Sequence, residues 1–324
     1  MNLRLDESAR GVYPIMATPF TDLEEIDWTS VDRLVDFYLA SAVAGITILG
    51  IMGEAPKLAT DEAEKLVERC LKRTAGRIPL IVGVSNPALK SLRDFSRKVA
   101  DLGAAAVMVA PVPGLTTEEQ VFTYFRAVAG SLGAIPVVVQ NYPPANGVFM
   151  SVALLNRLFR EFPGFKMLKH EEAPGLRKLS QLRAADGERG GRRISIVAGN
   201  GAIHLVQELR RGADGVMTGF AFPEMLTGVW QRFVAGERDA AEDLYDAWLP
   251  LVRHEQQAGI GLALRKEILR RRGLIGTAKV RAPGPSLDAA DHEELTQLLR
   301  RTDRALQKLG LRLPALQENL MCDR

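Results

Sequence analysis

Lys169 is the residue whose type and position most directly suggest chemistry. It ends the apolar run Phe165–Lys169, where the alternation of a β-strand would place Phe165, Met167 and Lys169 on one face, assigned here to a barrel interior. An ammonium group held against apolar walls is disfavoured relative to the neutral amine, which can attack a ketone. The resulting protonated imine withdraws electrons, so that a neighbouring C–C or C–O bond can break. The alternative is a lysine that extends from a strand end to solvent.

Three other residues carry groups that can exchange protons. Glu171 lies two residues beyond Lys169, where it could titrate beside an imine or form a salt bridge within a loop. Glu54 follows the glycine loop Gly50–Gly53 and could act as a general acid or base, or could bond loop amides and hold the turn. Tyr142 could present its phenol to the site or pack beneath a loop. Residue type alone leaves these alternatives open.

These residues need a framework that brings them together, and the sequence predicts a repeating βα pattern. Short apolar or β-branched runs, each followed by a segment of helical periodicity, recur as far as about Ala235. The runs are continuous rather than alternating, as parallel strands buried on both faces require. Eight runs predict an α/β fold, a TIM (β/α)8 barrel with its site at the C-terminal ends of the strands. The predicted strands are Val12–Thr18, Gly45–Leu49, Leu80–Val84, Ala105–Ala110, Pro136–Gln140, Phe165–Lys169, Ile194–Ala198 and Gly215–Thr218.

The helical segments and the chain length agree with this pattern. Thr117 and Gln120 have the spacing of a capping box at the start of a helix. With 324 residues the chain is long enough for a barrel with an extension, so we predict a catalytic barrel over residues 1–235 and a C-terminal helical domain over residues 236–324. A doubly wound open sheet is the alternative, but no Gly-x-Gly-x-x-Gly motif follows the first run. The helices predicted beyond the barrel are Arg238–Arg253, Gly259–Arg272 and Asp288–Leu309.

Composition favours a globular protein that acts on small molecules. The sequence is 47% hydrophobic and 25% charged with a net charge of +3, which argues against disordered or collagen-like chains and against nucleic acid or an anionic membrane as the main partner. Cys70 and Cys322 lie far apart and the four histidines are dispersed, so neither a disulfide framework nor a metal site is predicted. No signal-peptide or membrane-spanning run is visible. We therefore expect a cytoplasmic protein.

A series of short motifs accompanies Lys169. It comprises Ala17–Phe20, the Gly50–Glu54 loop, Asn141 with Pro143 and Gly147, and Gly199. Together these segments resemble the dihydrodipicolinate synthase/N-acetylneuraminate lyase superfamily over the whole chain. The resemblance implies a TIM barrel with a C-terminal helical domain, assembled as a homotetramer. It also implies that Lys169 is the Schiff-base residue of a class I aldolase or dehydratase acting on pyruvate or another 2-keto acid, with no cofactor besides the covalent imine.

The chain departs from the family pattern at several positions. The glycine loop has Ile51 and Met52 where the family carries two threonines, and Gln140 replaces the tyrosine that precedes Asn141. The usual Tyr–Thr–Tyr proton relay therefore does not carry over. Ala145 stands where the synthase has an arginine for a substrate carboxylate. These differences argue against dihydrodipicolinate synthase activity.

Other segments resemble the branch of 2-keto-3-deoxy-sugar-acid dehydratases, such as those of L-2-keto-3-deoxyarabonate. They are Val139–Pro143, Gly215–Gly219 with Phe222–Pro223, and Ala247–Leu251 followed by His254–Glu255. This branch tolerates Gln at the tyrosine position, where an amide can orient a carbonyl group or a water molecule. The alternatives are 4-hydroxy-tetrahydrodipicolinate synthase, another pyruvate aldolase, or a keto-acid-binding protein without catalysis.

The expected site therefore combines three catalytic candidates with a set of substrate contacts. The turn Gly199–Gly201 opens a helix and could offer backbone N–H groups to an anion, for which a substrate carboxylate is a better guest than phosphate because the loop has no basic residue. The catalytic candidates are Lys169, Gln140 and Glu54. The predicted substrate contacts are Thr18, Ile51, Met52, Tyr142, Glu171, Gly199 and Asn200.

Overall fold

Eight parallel strands form the centre of the fold in a computed structural model, which describes residues 3–173, 175–186 and 192–316. The sheet order is β1-β8-β7-β6-β5-β4-β3-β2, and a parallel bridge from Ile15 to Thr47 joins its two edges. The sheet is therefore a closed barrel, which confirms the predicted TIM architecture. The strands are β1 Gly11–Val12, β2 Ile46–Ile48, β3 Leu80–Gly83, β4 Ala106–Val109, β5 Val137–Asn141, β6 Phe165–His170, β7 Ser195–Ala198 and β8 Gly215–Val216.

Helices follow the strands and cover the outside of the barrel. Thr117 and Gln120 form the predicted capping box, which satisfies backbone N–H groups at the start of one helix. The helices are α1 Trp28–Ala40, α2 Thr60–Thr74, α3 Leu89–Leu102, α4 Glu118–Leu132, α5 Pro143–Asn146, α6 Val152–Glu161, α7 Leu176–Ala184, α8 Leu205–Arg210, α9 Pro223–Val234, α10 Arg238–Glu255, α11 Gly261–Arg271 and α12 Ala289–Lys308. No helix in the described ranges is long and apolar enough to span a membrane.

The first and last strands are shorter than predicted. The run Val12–Thr18 is regular only over Gly11–Val12, because Pro14 has no backbone N–H group to donate and interrupts the ladder. Pairing continues irregularly beyond the proline, where Ile15 donates to the carbonyl oxygen of Thr218 at 2.9 Å. At Gly215 an added Cβ would lie 1.9 Å from the carbonyl oxygen of Gly11, so these two strands approach as closely as they do because position 215 has no side chain.

Strand β6 contains an irregularity that corrects one prediction. The pairing register with β5 shifts between Val137 and Val138, so that Val137 pairs with Phe165 whereas Val138 pairs with Met167. This bulge turns the Phe165 side chain outwards, where it packs against other aromatic rings. The expected grouping of Phe165 with Met167 on the interior face is therefore wrong, whereas Met167 does lie inside.

Two apolar clusters fill the fold. A small cluster of inward-facing residues occupies the barrel interior; we call it the interior cluster, and its buried members include Ile15, Met108, Val138, Met167 and Val197. A much larger cluster lies between the strands and the surrounding helices and extends to the C-terminal helices. The site therefore rests on a packed interior rather than on a water-filled channel.

The C-terminal helices α10, α11 and α12 begin and end within a few residues of the three predicted segments. Helix α10 packs against α9 and α12, which places this group beside the last barrel helix. The division into domains at residue 235 stays a prediction, and its last residues, including Cys322, lie outside the described part of the chain.

A buried ion cluster, which we call the Glu54 cluster, attaches α11 to the barrel. The carboxylate of Glu54 accepts hydrogen bonds from Lys266 Nζ at 2.5 Å, Lys57 Nζ at 2.9 Å and the backbone N–H of Arg281 at 3.0 Å. Lys266 is fully buried and also lies over the ring of Phe20. Burial outweighs the opposing effect of the neighbouring Glu54 charge and lowers the pKa of Lys266 to about 8.

Substitution of Glu54 should therefore destabilise the protein. We expect Glu54→Gln to lower the free energy of unfolding by about 3–5 kcal/mol, because it leaves the Lys266 charge buried without its partner. The double variant Glu54→Gln/Lys266→Met should recover most of this loss, since it removes both charges. Denaturant unfolding measures the difference, and a single variant as stable as the parent would show that the pair does not hold α11.

Candidate active site

Lys169 and Glu171 form a buried pair at the C-terminal end of β6. Lys169 Nζ lies 2.8 Å from Glu171 Oε2, and both side chains are less than a tenth exposed. Glu171 is held beyond the strand end by a hydrogen bond from its backbone N–H to the carbonyl oxygen of Asn141 at 3.0 Å. The apolar surroundings expected for the lysine are therefore incomplete, because a carboxylate touches its amine.

Glu171 is also bonded from the two neighbouring strands. Gln140 at the end of β5 donates from Nε2 to Glu171 Oε2 at 2.7 Å, and the backbone N–H of Asn200 after β7 lies 3.3 Å from Oε1. Gly199 has no side chain, and an added Cβ there would lie 2.2 Å from Glu171 Cγ. The loop at Gly199 and Asn200, predicted to receive a substrate anion, thus receives the Glu171 carboxylate.

A cavity of about 290 Å3 opens beside Gln140 at the ends of β2 to β5. None of its lining residues in the described chain is charged. Its polar lining is formed by Ser85, Asn86, Gln140, Tyr142 and Asn146, and its apolar lining includes Ile51, Pro56, Pro87, Met108, Pro111, Val112, Pro113 and Ala145. A substrate joined to Lys169 could extend past Gln140 into a space that suits an uncharged chain.

The other predicted contacts differ in their relation to this cavity. Tyr142 lines it, and both burial and the charge of Glu171 raise the pKa of its phenol. Thr18 is buried and donates from Oγ1 to the carbonyl oxygen of Gly53 at 2.7 Å, so it braces the glycine loop. Ile51 is half-exposed and forms part of the cavity wall, whereas Met52 packs against the interior cluster.

Glu54 stands apart from these residues. All of the described hydrogen bonds of its carboxylate go to the Glu54 cluster, and none joins it to Lys169 or Gln140. Its geometry matches the alternative in which it supports the turn after the glycine loop.

The structure adds a residue that the sequence interpretation missed. Arg265 of α11 is buried, and its Nη1 lies 2.8 Å from Met52 Sδ. It shares a helix face with Ile268 and Leu269, three and four residues further on, which are both buried. A cation on the apolar face of a helix was the available signal, but its destination depends on how α11 packs on the barrel.

Lys169 and Glu171 together can perform proton transfer around an imine. The carboxylate contacts the lysine amine at 2.8 Å, and it can accept the proton that the amine must lose before attacking a carbonyl group. Gln140 and the Asn200 amide fix the carboxylate orientation. The arrangement therefore supplies a nucleophile together with an oriented general acid and base.

A second buried carboxyl lies near this pair. Burial, together with the nearby charge of Glu171, raises the pKa of Glu208 on α8 to about 8. Glu208 therefore remains protonated in the folded protein at pH values where its ordinary pKa of 4.5 would leave it ionised.

This buried carboxyl should make stability depend on pH. Between about pH 4.5 and 8 the folded state holds a proton that the unfolded state has released, so the free energy of unfolding falls as the pH rises. Glu208→Gln should remove this slope and be more stable than the parent at pH 8 by roughly 2–4 kcal/mol, with little difference at pH 4.5. Thermal unfolding across this range measures the effect, with the exposed Glu68→Gln as the control. Parallel curves for parent and Glu208→Gln would contradict the assignment.

Comparisons with known proteins match most of the chain. Residues 8–302 match the dihydrodipicolinate synthetase family model. The chain is 33% identical over 301 residues to an L-2-keto-3-deoxyarabonate dehydratase from Azospirillum brasilense, covering 91% of this chain and 94% of the relative. It is 28% identical to a 4-hydroxy-tetrahydrodipicolinate synthase from Bradyrhizobium diazoefficiens, over 75% of this chain and 80% of that protein.

A solved structure has the same fold. It is described as dihydrodipicolinate synthase from Rhodopseudomonas palustris, and it superposes with a TM-score of 0.90 at 44% identity, covering 92% of this chain and 99% of that one. The chain thus belongs to the dihydrodipicolinate synthetase family and is an enzyme of the class I lyase and aldolase type.

Proposed function

We propose that this enzyme joins a 2-keto acid to Lys169 as a Schiff base and eliminates water from it, and that the substrate is a 2-keto-3-deoxy sugar acid such as L-2-keto-3-deoxyarabonate. The observation that carries the proposal is the buried contact between Lys169 Nζ and Glu171 Oε2 at 2.8 Å. This contact supplies both the amine and the proton acceptor that the reaction requires.

Imine formation is the first step, and it involves both Lys169 and Glu171. Glu171 takes a proton from the Lys169 ammonium, and the free amine attacks the C2 carbonyl to give a carbinolamine. Return of the proton to the hydroxyl group expels water and leaves the protonated imine. Gln140, bonded to the same carboxylate oxygen, orients Glu171 while its proton changes partners.

Elimination follows from the acidity that the imine gives to C3. Glu171 removes a C3 proton and forms an enamine, whose electrons then expel the hydroxyl group at C4. The carboxyl returns its proton to that leaving hydroxyl, so that water departs and one carboxyl serves both steps. No metal or further cofactor enters this scheme.

The shape and charge of the cavity support the substrate class. A 2-keto-3-deoxy sugar acid carries an uncharged hydroxylated chain beyond C3, and the cavity beside Gln140 is lined by the polar residues Ser85, Asn86 and Asn146. Apart from these residues, Gln140 and Tyr142, the cavity lining is apolar, and its limited volume suits a short chain. The dehydratase from Azospirillum brasilense acts on a compound of this kind by its name.

A second candidate is 4-hydroxy-tetrahydrodipicolinate synthase activity, favoured by the structural likeness to a protein described as dihydrodipicolinate synthase. That reaction adds pyruvate to aspartate semialdehyde, which carries an ammonium and a carboxylate. Ala145 and Ile51 line the cavity without a charge for either group. Burial of an unpaired charge is costly, so the cavity favours the sugar acid.

Reductive trapping tests the lysine. We expect borohydride to fix pyruvate on Lys169 in the parent protein, with the modified peptide identified by mass spectrometry, and Lys169→Met to abolish the adduct. Lys166→Met is the matched control, since Lys166 lies on the same strand but pairs with Glu7. Glu171→Gln should form the adduct more slowly but still on Lys169, and should turn over substrate about 10²–10⁴ times more slowly, because it removes the proton carrier. An adduct on another lysine, or none at all, would overturn the mechanism.

The substrate is tested by turnover. Water loss from L-2-keto-3-deoxyarabonate and its stereoisomers should proceed with the parent protein, whereas pyruvate with aspartate semialdehyde should give no dihydrodipicolinate above the level of Lys169→Met. Synthase turnover near the median enzyme rate of about 10 per second would show that the second candidate is right.

We also propose that the enzyme assembles as a homotetramer, the assembly typical of the family.

A further inference from the structure

We propose that Arg265 binds the carboxylate group of the 2-keto acid, so that a helix outside the barrel supplies the charge that the glycine loop lacks. The inference rests on the proposed function and adds to it a residue for recognising the acid group next to the reacting carbonyl.

The guanidinium of Arg265 reaches the open end of the barrel. An added Cβ at Gly219, just beyond β8, would lie 3.3 Å from Arg265 Nη1 and 3.1 Å from Met52 Cγ. Met52 in turn packs against the interior cluster, to which Met167 of β6 belongs. The charge of Arg265 also acts on the phenol of Tyr142 at the cavity. Arg265 is therefore linked through Met52 to the interior cluster that includes Met167, on the same strand as Lys169.

The other nitrogens of Arg265 are held by strong partners. Nε donates to Glu255 Oε2 at 2.9 Å, and Nη2 donates to Gln256 Oε1 at 3.2 Å. Gln256 is itself bonded to the side chain of Asn200 at 2.9 Å, which ties Arg265 to the loop beside Glu171. These bonds hold the guanidinium plane in position before any ligand arrives.

Nη1 differs from these nitrogens because its described partner is a thioether. Sulfur in methionine is a weak acceptor, whereas an arginine N–H group is a strong donor that prefers a carboxylate oxygen. Met52 has flexible torsions and could move aside for a ligand at low cost. A carboxylate that replaced the sulfur would accept a charge-assisted hydrogen bond from Arg265 Nη1 at a buried position.

The other cations near the site already have carboxylate partners, which favours Arg265 as the group that binds the substrate carboxylate. The Lys169 charge is opposed by Glu171, and the cavity lining in the described chain is uncharged. Lys266, next to Arg265 in the sequence, is engaged by the Glu54 cluster. Of these cations, Arg265 is the one with a nitrogen whose described partner is a thioether rather than a carboxylate.

The test compares an acid with its neutral ester. For the parent protein, the ketone concentration that gives half-maximal borohydride trapping on Lys169 should be about 10- to 100-fold lower for pyruvate than for methyl pyruvate, since a charge-assisted hydrogen bond contributes that much to binding. Arg265→Met should bring the two half-maximal concentrations together, because it should weaken the binding of pyruvate but not that of methyl pyruvate. Arg265→Lys, which keeps the charge, should restore part of the preference.

Two further variants separate recognition from folding. Arg270→Met changes an arginine on the same helix that pairs with Glu267, and it should keep the parent preference for pyruvate. Arg265→Met/Glu255→Gln removes both members of the buried pair, so it reports on the preference if the single variant does not fold.

The outcomes are distinct. If Arg265→Met keeps the preference for pyruvate, or raises the half-maximal trapping concentrations of both ketones equally, the inference is wrong and the proposed function stands. If the parent protein forms no adduct at Lys169, the proposed function fails and the inference fails with it. Loss of the preference with intact trapping of methyl pyruvate supports the inference.

Discussion

The buried carboxylate of Glu171 is the group on which the rest of the site depends. A carboxylate withdrawn from water needs hydrogen bonds or an opposite charge, and here the donors come from the ends of three adjacent strands: Lys169, Gln140 and the amide of Asn200. Because neighbouring parallel strands end at the same edge of the barrel, these donors can converge on one group. Gly199 leaves the space that the carboxylate occupies.

The bulge in β6 helps to place Lys169 at this site. A strand that ran without interruption from Phe165 to Lys169 would place both side chains on one face. The register shift next to β5 lets Phe165 pack in the outer aromatic cluster while Met167 packs inside. The strand thus contributes to the outer core at its beginning and to the candidate active site at its end.

Much of the fold and the central lysine could be predicted from the sequence, because both leave local patterns. Continuous apolar runs mark strands buried on both faces, and Lys169 stands at the end of one of them. The short first strand and the bulge were not predictable, since they depend on pairing with partners distant in sequence. The partner of Asn200 was missed for a similar reason: the loop was expected to meet an external anion, whereas the fold brings a carboxylate of the chain itself to it. The roles of Arg265 and Glu54 could not be predicted from the sequence, because their surroundings depend on how α11 packs on the barrel.

Adjacent residues of α11 serve two different parts of the molecule. Lys266 enters the Glu54 cluster at the end of the glycine loop, while Arg265 turns towards Met52 within that loop. Both contacts join α11 to residues 52–54, so loop and helix form a matched set. Recombination between relatives at the boundary between barrel and C-terminal helices would separate that set. A chimeric enzyme built at this boundary would inherit a loop without its helix, and a crossover that keeps the two together would have to exchange both segments at once.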